Sequence, residues 1–172
     1  MKDSRGITLV ELIIVIAILS LAAAMSFGGL RYIKYGNAKQ CAYELNAALD
    51  RIRLENMSRA EKTYLYIYRY GDSYYMTEST SEPTAALLGD SGVLLGNRQL
   101  GISWKTSTEP ASEQEVEDFP SGRYMKVSFE KSTGELSGNG TDYYKYILIK
   151  DRDGTVRYTI RLIQASGKHF VK

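Results

Sequence analysis

The sequence predicts an α+β fold in which one long N-terminal helix, over 7–60, packs on a mostly antiparallel sheet. Three observations carry the prediction. No formal charge occurs in the 19 residues between Glu11 and Arg31. Apolar residues then recur at three- and four-residue spacing from Ala38 to Ile52. From Thr63 onward, aromatic and β-branched segments alternate with glycine-bearing turns.

The uncharged stretch as a helix reaches roughly 28 Å, close to the hydrocarbon thickness of a bilayer, so the chain is expected to visit a membrane. A total of 172 residues at formal charge +2 fits one modest domain and an appended segment. The near-neutral balance offers no general attraction to nucleic acid or acidic substrates. Cys41 is the single cysteine, which excludes an intramolecular disulfide, and His169 is the single histidine, which leaves metal and triad chemistry few candidates. His169 has no carboxylate or nucleophile in evident relation to it, and no phosphate-binding glycine loop is present. The chain is therefore read as non-enzymatic and without a cofactor. The rival of another class is a membrane-anchored protein with a β-rich ectodomain of undetermined activity.

The N-terminus, MKDSRGITLVELIIVIAILSLAAAMSFGG, admits three readings. Lys2, Arg5 and the small residues Ala22, Ala23 and Ala24 suit a cleaved secretory signal, but the apolar run is long for one and Glu11 interrupts it. A plain signal anchor leaves Glu11 as a penalty of about 2.5–3.5 kcal/mol at mid-bilayer, less near the edge. The third reading gives the acid a use.

Gly6-Ile7-Thr8-Leu9-Val10-Glu11, followed by the apolar run, resembles the prepilin signature of type IV pilins and type II secretion pseudopilins, with Ile7 where that family usually has Phe. The resemblance implies a leader, 1–6, removed by a prepilin peptidase after Gly6, and N-methylation of Ile7. It also implies insertion of the helix 7–30 into a membrane and then a filament. Its partners would be other pilins or pseudopilins, the peptidase, assembly-platform membrane proteins and lipid. Its location would be the inner or cytoplasmic membrane, crossed once with the head outside the cytoplasm, and then an extracytoplasmic filament. Cleavage creates an ammonium on Ile7, four residues and about 6 Å from Glu11 along a helix. The family picture places the Glu11 of an incoming subunit against that amine on its neighbour, so that assembly satisfies a charge that is costly in a low dielectric.

Ser20, Ala24 and Gly28 form a small-xxx-small ladder that allows close helix packing, although such residues are common in membrane helices. The Gly28-Gly29 pair lowers helix stability by about 1 kcal/mol per residue relative to alanine, where many filament-forming relatives have a helix-loosening Pro.

The segment 31–62 reads as an amphipathic continuation of the helix. Ala38, Cys41, Ala42, Leu45, Ala48, Leu49 and Ile52 form the stripe, and Cys41 is a small apolar filler in it. Arg51, Arg53, Glu55, Arg59, Glu61 and Lys62 read as a solvated face. The head, 63–172, begins with TYLYIYRY, which places Tyr64, Tyr66, Tyr68 and Tyr70 on one face and Leu65, Ile67 and Arg69 on the other. Gly71-Asp72 turns it into a hairpin over 63–77. Further strands are expected at 86–95, 100–105, 124–130, 143–150, 156–163 and 169–171.

VSFEKSTGEL and YTIRLIQASGK, through Phe129, Gly134, Ile160, Leu162, Gly167 and Lys168, are similar to closing segments of the GspH/FimT group of minor pseudopilins. That likeness implies a minor subunit of a type IV pilus or secretion pseudopilus. The segment 106–122 gathers Glu109, Glu113, Glu115, Glu117 and Asp118 between Pro110 and Pro120. It lacks a calcium-loop pattern and reads as a mobile acidic loop. The tyrosines, with Arg69 and Lys145, raise a second role in competence, stacking on single-stranded DNA; the plainer reading is half-buried sheet surface and subunit contact.

Overall fold

Alternation of buried and exposed positions builds most of this chain, and a computed structural model shows where each stripe goes. It describes residues 9–81, 84, 88, 92–97, 99–108, 112–119, 122–138 and 142–172; over 21–36 only the helical course is described. The chain forms two compact units, Met1–Tyr35 and Gly36–Lys172. Helix α1 is Leu9–Ser58, against the expected 7–60.

In the first unit, the side chains described are those of 9–20, and all are exposed. Leu9 is 75% and Leu19 is 62% exposed.

In the second unit, the helical stripe works as its spacing demands. Ala38, Cys41, Ala42, Leu45, Ala48, Leu49 and Ile52 are all fully or almost fully buried. Small residues at four of those seven positions let the sheets approach the helix closely. Among the described residues nine strands follow: β1 Tyr64–Tyr70, β2 Ser73–Ser79, β3 Val93–Asn97, β4 Leu100–Thr106, β5 Glu113–Glu115, β6 Met125–Val127, β7 Tyr144–Asp151, β8 Val156–Leu162 and β9 His169–Val171.

The expected single sheet is two. One has the order β3-β2-β1-β6, the other β5-β4-β7-β8-β9, and all strand pairs are antiparallel. The division falls at the turn after β3, where Asn97 Oδ1 accepts the Gln99 N–H at 3.0 Å and β4 leaves to pair with β5 and β7. Leu65 and Ile67 from the first sheet join Ile102, Trp104, Ile147, Ile149, Ile160 and Leu162 from the second in one core with the helical stripe. Wrapping two short sheets round one helix covers more of its circumference than a single twisted sheet does.

The tyrosine face of β1 is closed. Tyr66 and Tyr68 are fully buried with Leu88, and Tyr64, Tyr75, Phe119 and Tyr124 pack around them as a second small core. The Tyr68 and Tyr75 rings stack at 5.9 Å, and Phe119 meets Tyr124 edge-on. The two deeply buried tyrosines are thereby withdrawn from base stacking, and Arg69 pairs with Asp118 at 3.2 Å.

Two further expectations are refined. The charged end of the helix is solvated at Arg51, Arg59 and Glu61, which are exposed, and some of its side chains also reach the sheets. Arg51 pairs with Glu78, Lys62 Nζ lies 3.0 Å from Glu130, and Arg53 Nε donates to the Gly134 carbonyl at 3.1 Å. Glu55–Arg59 is a local pair within the helix. Within the acidic segment, the described residues include an edge strand, β5, whose pairing with β4 joins Ser103 to Glu115 and Lys105 to Glu113. Glu109, Pro110 and Pro120 lie outside the described residues, as does part of the strand expected at 86–95.

Asn56, fully buried near the end of α1, joins three chain segments. Its Nδ2 donates to Thr63 O at 2.9 Å and to Ser128 Oγ at 3.2 Å, while its Oδ1 accepts the Thr63 N–H at 2.6 Å. The two similar-looking segments at Phe129 and Ile160 also meet. Leu136 N–H donates to Gln164 O at 3.0 Å, and Gly134 (φ 68°) and Gly167 (φ 61°) pack so closely that a Cβ on Gly167 would overlap the Gly134 carbonyl.

Candidate assembly segment

From Leu9 to Ser20 the sequence contains nine large apolar side chains, and they cover every side of the helix. A helix that is apolar all round belongs in a core, in lipid or among other helices. Full burial is worth about 1.5–3 kcal/mol for each such side chain, so this segment has more than about 10 kcal/mol to gain from a partner or a membrane.

Two polar residues interrupt it. Glu11 stands in the first turn of α1, where the helix dipole favours a negative charge. Ser20 Oγ donates to the Ile16 carbonyl at 2.7 Å, one turn back, which satisfies the hydroxyl inside its own helix and leaves a small outer surface. Of the N-terminal site residues expected from the sequence, Glu11 and Ser20 are described with side chains; Gly6 and Ile7 lie outside the described residues, as do the surroundings of Ala24 and Gly28.

Residues 1–27 match the prokaryotic N-terminal methylation motif. The matched segment includes Gly6, Ile7, Glu11, Ser20 and Ala24, and it supports a type IV pilin-like prepilin. The motif implies association with other pilins and with a prepilin peptidase, and a membrane anchor before an extracellular filament. Comparison with curated proteins and with solved structures finds no match. Among the described residues no helix is long and apolar enough to cross a membrane; the span expected at 7–30 is described with side chains only from 9 to 20.

The head is built on polar order of another kind. Several of its described acidic residues are paired with cations, and Glu113 and Glu115 share Lys150. Glu113 pairs with Lys150 and accepts from Ser103 Oγ at 2.7 Å, and Glu117 pairs with Arg123 at 2.6 Å. Burial pushes the Glu113 carboxyl up, but Lys150, Ser103 and Lys105 together outweigh it and hold it below its ordinary range. Arg123 holds Glu117 low by direct hydrogen bonds. No cluster of carboxylate, His or Cys side chains able to hold a metal occurs among the described residues.

Burial, with a smaller contribution from Glu44, pushes the Cys41 thiol up to about 12, which leaves it a packing group. His169 is buried against Phe129; its Nδ1 lies 3.2 Å from Gly167 O, and its Nε2 lies 3.2 Å from Asn46 O and from Asp50 Oδ1. The ring thus ties β9 to the helix. Sequence reasoning missed this tie and the Asn56 junction, because a lone polar residue on an apolar stripe does not announce its partners.

Proposed function

We propose that this chain is a prepilin of the GspH/FimT kind, cut after Gly6 and methylated at Ile7. It is then held in the membrane by its N-terminal helix and assembled as a minor subunit of a type IV pilus or a type II secretion pseudopilus. The methylation-motif match over 1–27, coinciding with a helix whose described part is exposed and apolar on every side, is the observation that carries this reading. The β-rich head, packed on the second half of the same helix, fits such a subunit. Catalysis forms no part of the proposal.

In this reading Glu11 sets the axial register of docking. The new ammonium at Ile7 of one subunit answers the carboxylate of the next, and burial among apolar helices makes a mismatched register expensive. Ser20, Ala24 and Gly28 lie on one face at four-residue intervals and let neighbouring helices approach.

The test is Glu11→Ala expressed beside the wild type. Membrane insertion and leader cleavage are expected to proceed while incorporation into filaments falls. Incorporation at the wild-type level would refute the pairing. Mass spectrometry of filament-borne chains is expected to find a methylated Ile7 as the first residue, and retention of residues 1–6 there would refute the assignment.

A further inference from the structure

Among the described residues the two sheets of the head end in four edge strands, β3 and β6 on the first and β5 and β9 on the second. An edge strand leaves a row of backbone N–H and C=O groups open to pairing, and folds guard such rows with charge or cover. Three of these edges are guarded. β5 carries Glu113 and Glu115; β6 carries Lys126, whose backbone N–H is directed to Tyr144 Oη at 3.4 Å; β9 is bracketed by Lys168 and Lys172 and tied to the helix through His169. β3, Val93–Asn97, has no formal charge. We propose that β3 is the pairing edge of a transient homodimer, in which it adds antiparallel to β3 of a second copy of this chain.

The side chains of β3 are placed for such an addition. Val93 lies opposite Met76, which belongs to the main core, and Leu94 lies opposite Tyr75, which packs on the small tyrosine core. Cross-strand partners share a face, so these two aliphatic side chains are the outermost members of rows that run inward on both faces of the sheet. Yet Val93 is 54% and Leu94 is 55% exposed. A strand added at this edge covers both and extends one core on each face. The register shift between Tyr74 and Tyr75 places the extra residue at Leu95, whose side chain is buried in the main core and does not obstruct the edge. Close packing fixes β3 where it stands: a Cβ on Gly92 would overlap the Tyr68 hydroxyl, and one on Gly96 would overlap the Leu100 side chain. A strand already held in place loses little freedom on pairing.

Charge selects the occupant. Two identical edges related by a two-fold axis bring like residues together, so the edges bearing Glu113 and Glu115, Lys126, or Lys168 and Lys172 repel their own copies. β3 escapes that repulsion. The nearest charges in the sequence, Asp90 and Arg98, are opposite in sign and equidistant from Leu94, so the charge pattern complements itself when reversed, as antiparallel self-pairing requires. The partner strand must also offer apolar side chains at two successive positions, one for each face, and Val93 and Leu94 of a second copy do so by symmetry. A pairing five residues long is small, so the dimer is weak, with a Kd of about 10–100 µM.

Sedimentation velocity of the full chain in detergent micelles, between about 1 and 300 µM, spans that range. A reversible monomer–dimer equilibrium is expected. Leu94→Lys and, separately, Val93→Lys set like charges on the edge and are expected to weaken the dimer at least about tenfold, with an unchanged circular dichroism spectrum because both side chains are exposed. A short bismaleimide is expected to join Leu94→Cys chains at least about tenfold faster than Phe170→Cys chains, whose new thiol lies on the β9 edge, while the buried Cys41 stays unmodified. Glu11→Ala is expected to leave the dimer as it is. A chain monomeric throughout the range, a dimer that survives Leu94→Lys, or equal cross-linking of the two cysteine variants would overturn the proposal. A dimer lost with Glu11→Ala would be an association of N-terminal helices and would overturn it as well, as would a monomer whose β3 edge takes up an extended peptide of unrelated sequence. These outcomes concern the head and leave the assembly role standing.

Discussion

Replacing Asn56 with Leu tests whether one buried amide pins the helix to the two neighbouring strands β1 and β6 of the first sheet. The substitution removes two donated bonds, to Thr63 O and Ser128 Oγ, and the accepted bond from Thr63 N–H. Thr63 O keeps a second donor, Ser128 Oγ at 3.2 Å, but the buried Thr63 N–H is left without its acceptor. The orphaned buried donor costs about 2 kcal/mol and each of the two lost donated bonds about 1 kcal/mol, so the polar loss totals about 4 kcal/mol. Leucine recovers about 1 kcal/mol of apolar burial, for a net destabilisation of about 3 kcal/mol. Urea unfolding of the head, 36–172, which contains the whole main core, is expected to show that loss at an unchanged m-value, with Tm lower by about 10 °C. Ser128→Ala alone removes less and is expected to cost about 1 kcal/mol, and the double variant is expected to lose less than the sum of the two. A loss below about 0.5 kcal/mol for Asn56→Leu would refute the reasoning, because the junction would then contribute nothing beyond its shape.

Two other predictions rest on the turns. Gly167→Ala forces a left-handed conformation on an L side chain and drives its Cβ into the Gly134 carbonyl, so a destabilisation above about 2 kcal/mol is expected by thermal unfolding. Asp151 closes the β7–β8 turn, accepting from Asp153 N–H and Thr155 N–H at 3.0 Å and pairing with Arg157 at 2.5 Å. Burial raises its carboxyl, but Arg157 and the turn N–H groups outweigh that and lower it from the ordinary 3.8. A carboxyl lowered by folding contributes stability that is complete above the unfolded value and is lost as pH falls through the folded one. The stability gap between wild type and Asp151→Asn is therefore expected to be widest at neutral pH and to close below pH 3.8, as read by denaturant unfolding across that window.

The N-terminal site was legible because it is linear: Gly6, Ile7 and Glu11 stand in a row, and the apolar run follows without a gap. The helical stripe and the β1–β2 hairpin were legible for a related reason, since their partners are neighbours in sequence and Gly71 (φ 60°) supplies the turn. What periodicity could not show was pairing at a distance. β1 takes Leu65 opposite Val127, and that choice separates the two sheets. β5 reads as loop because Glu113, Gln114 and Glu115 have little strand preference; Ser103, Lys105 and Lys150 supply its reason to be a strand.

The tie between His169 and the Asn46 carbonyl spans 123 residues of chain. A contact of that sequence separation closes late, since the loop entropy must be spent before the contact returns anything. The helical stripe from Ala38 to Ile52 thus leaves the ribosome long before the last strand that helps cover it, and a nascent chain halted at β7 still lacks β8 and β9. Closure of the core over that stripe accordingly waits on β8, whose Ile160 and Leu162 belong to it.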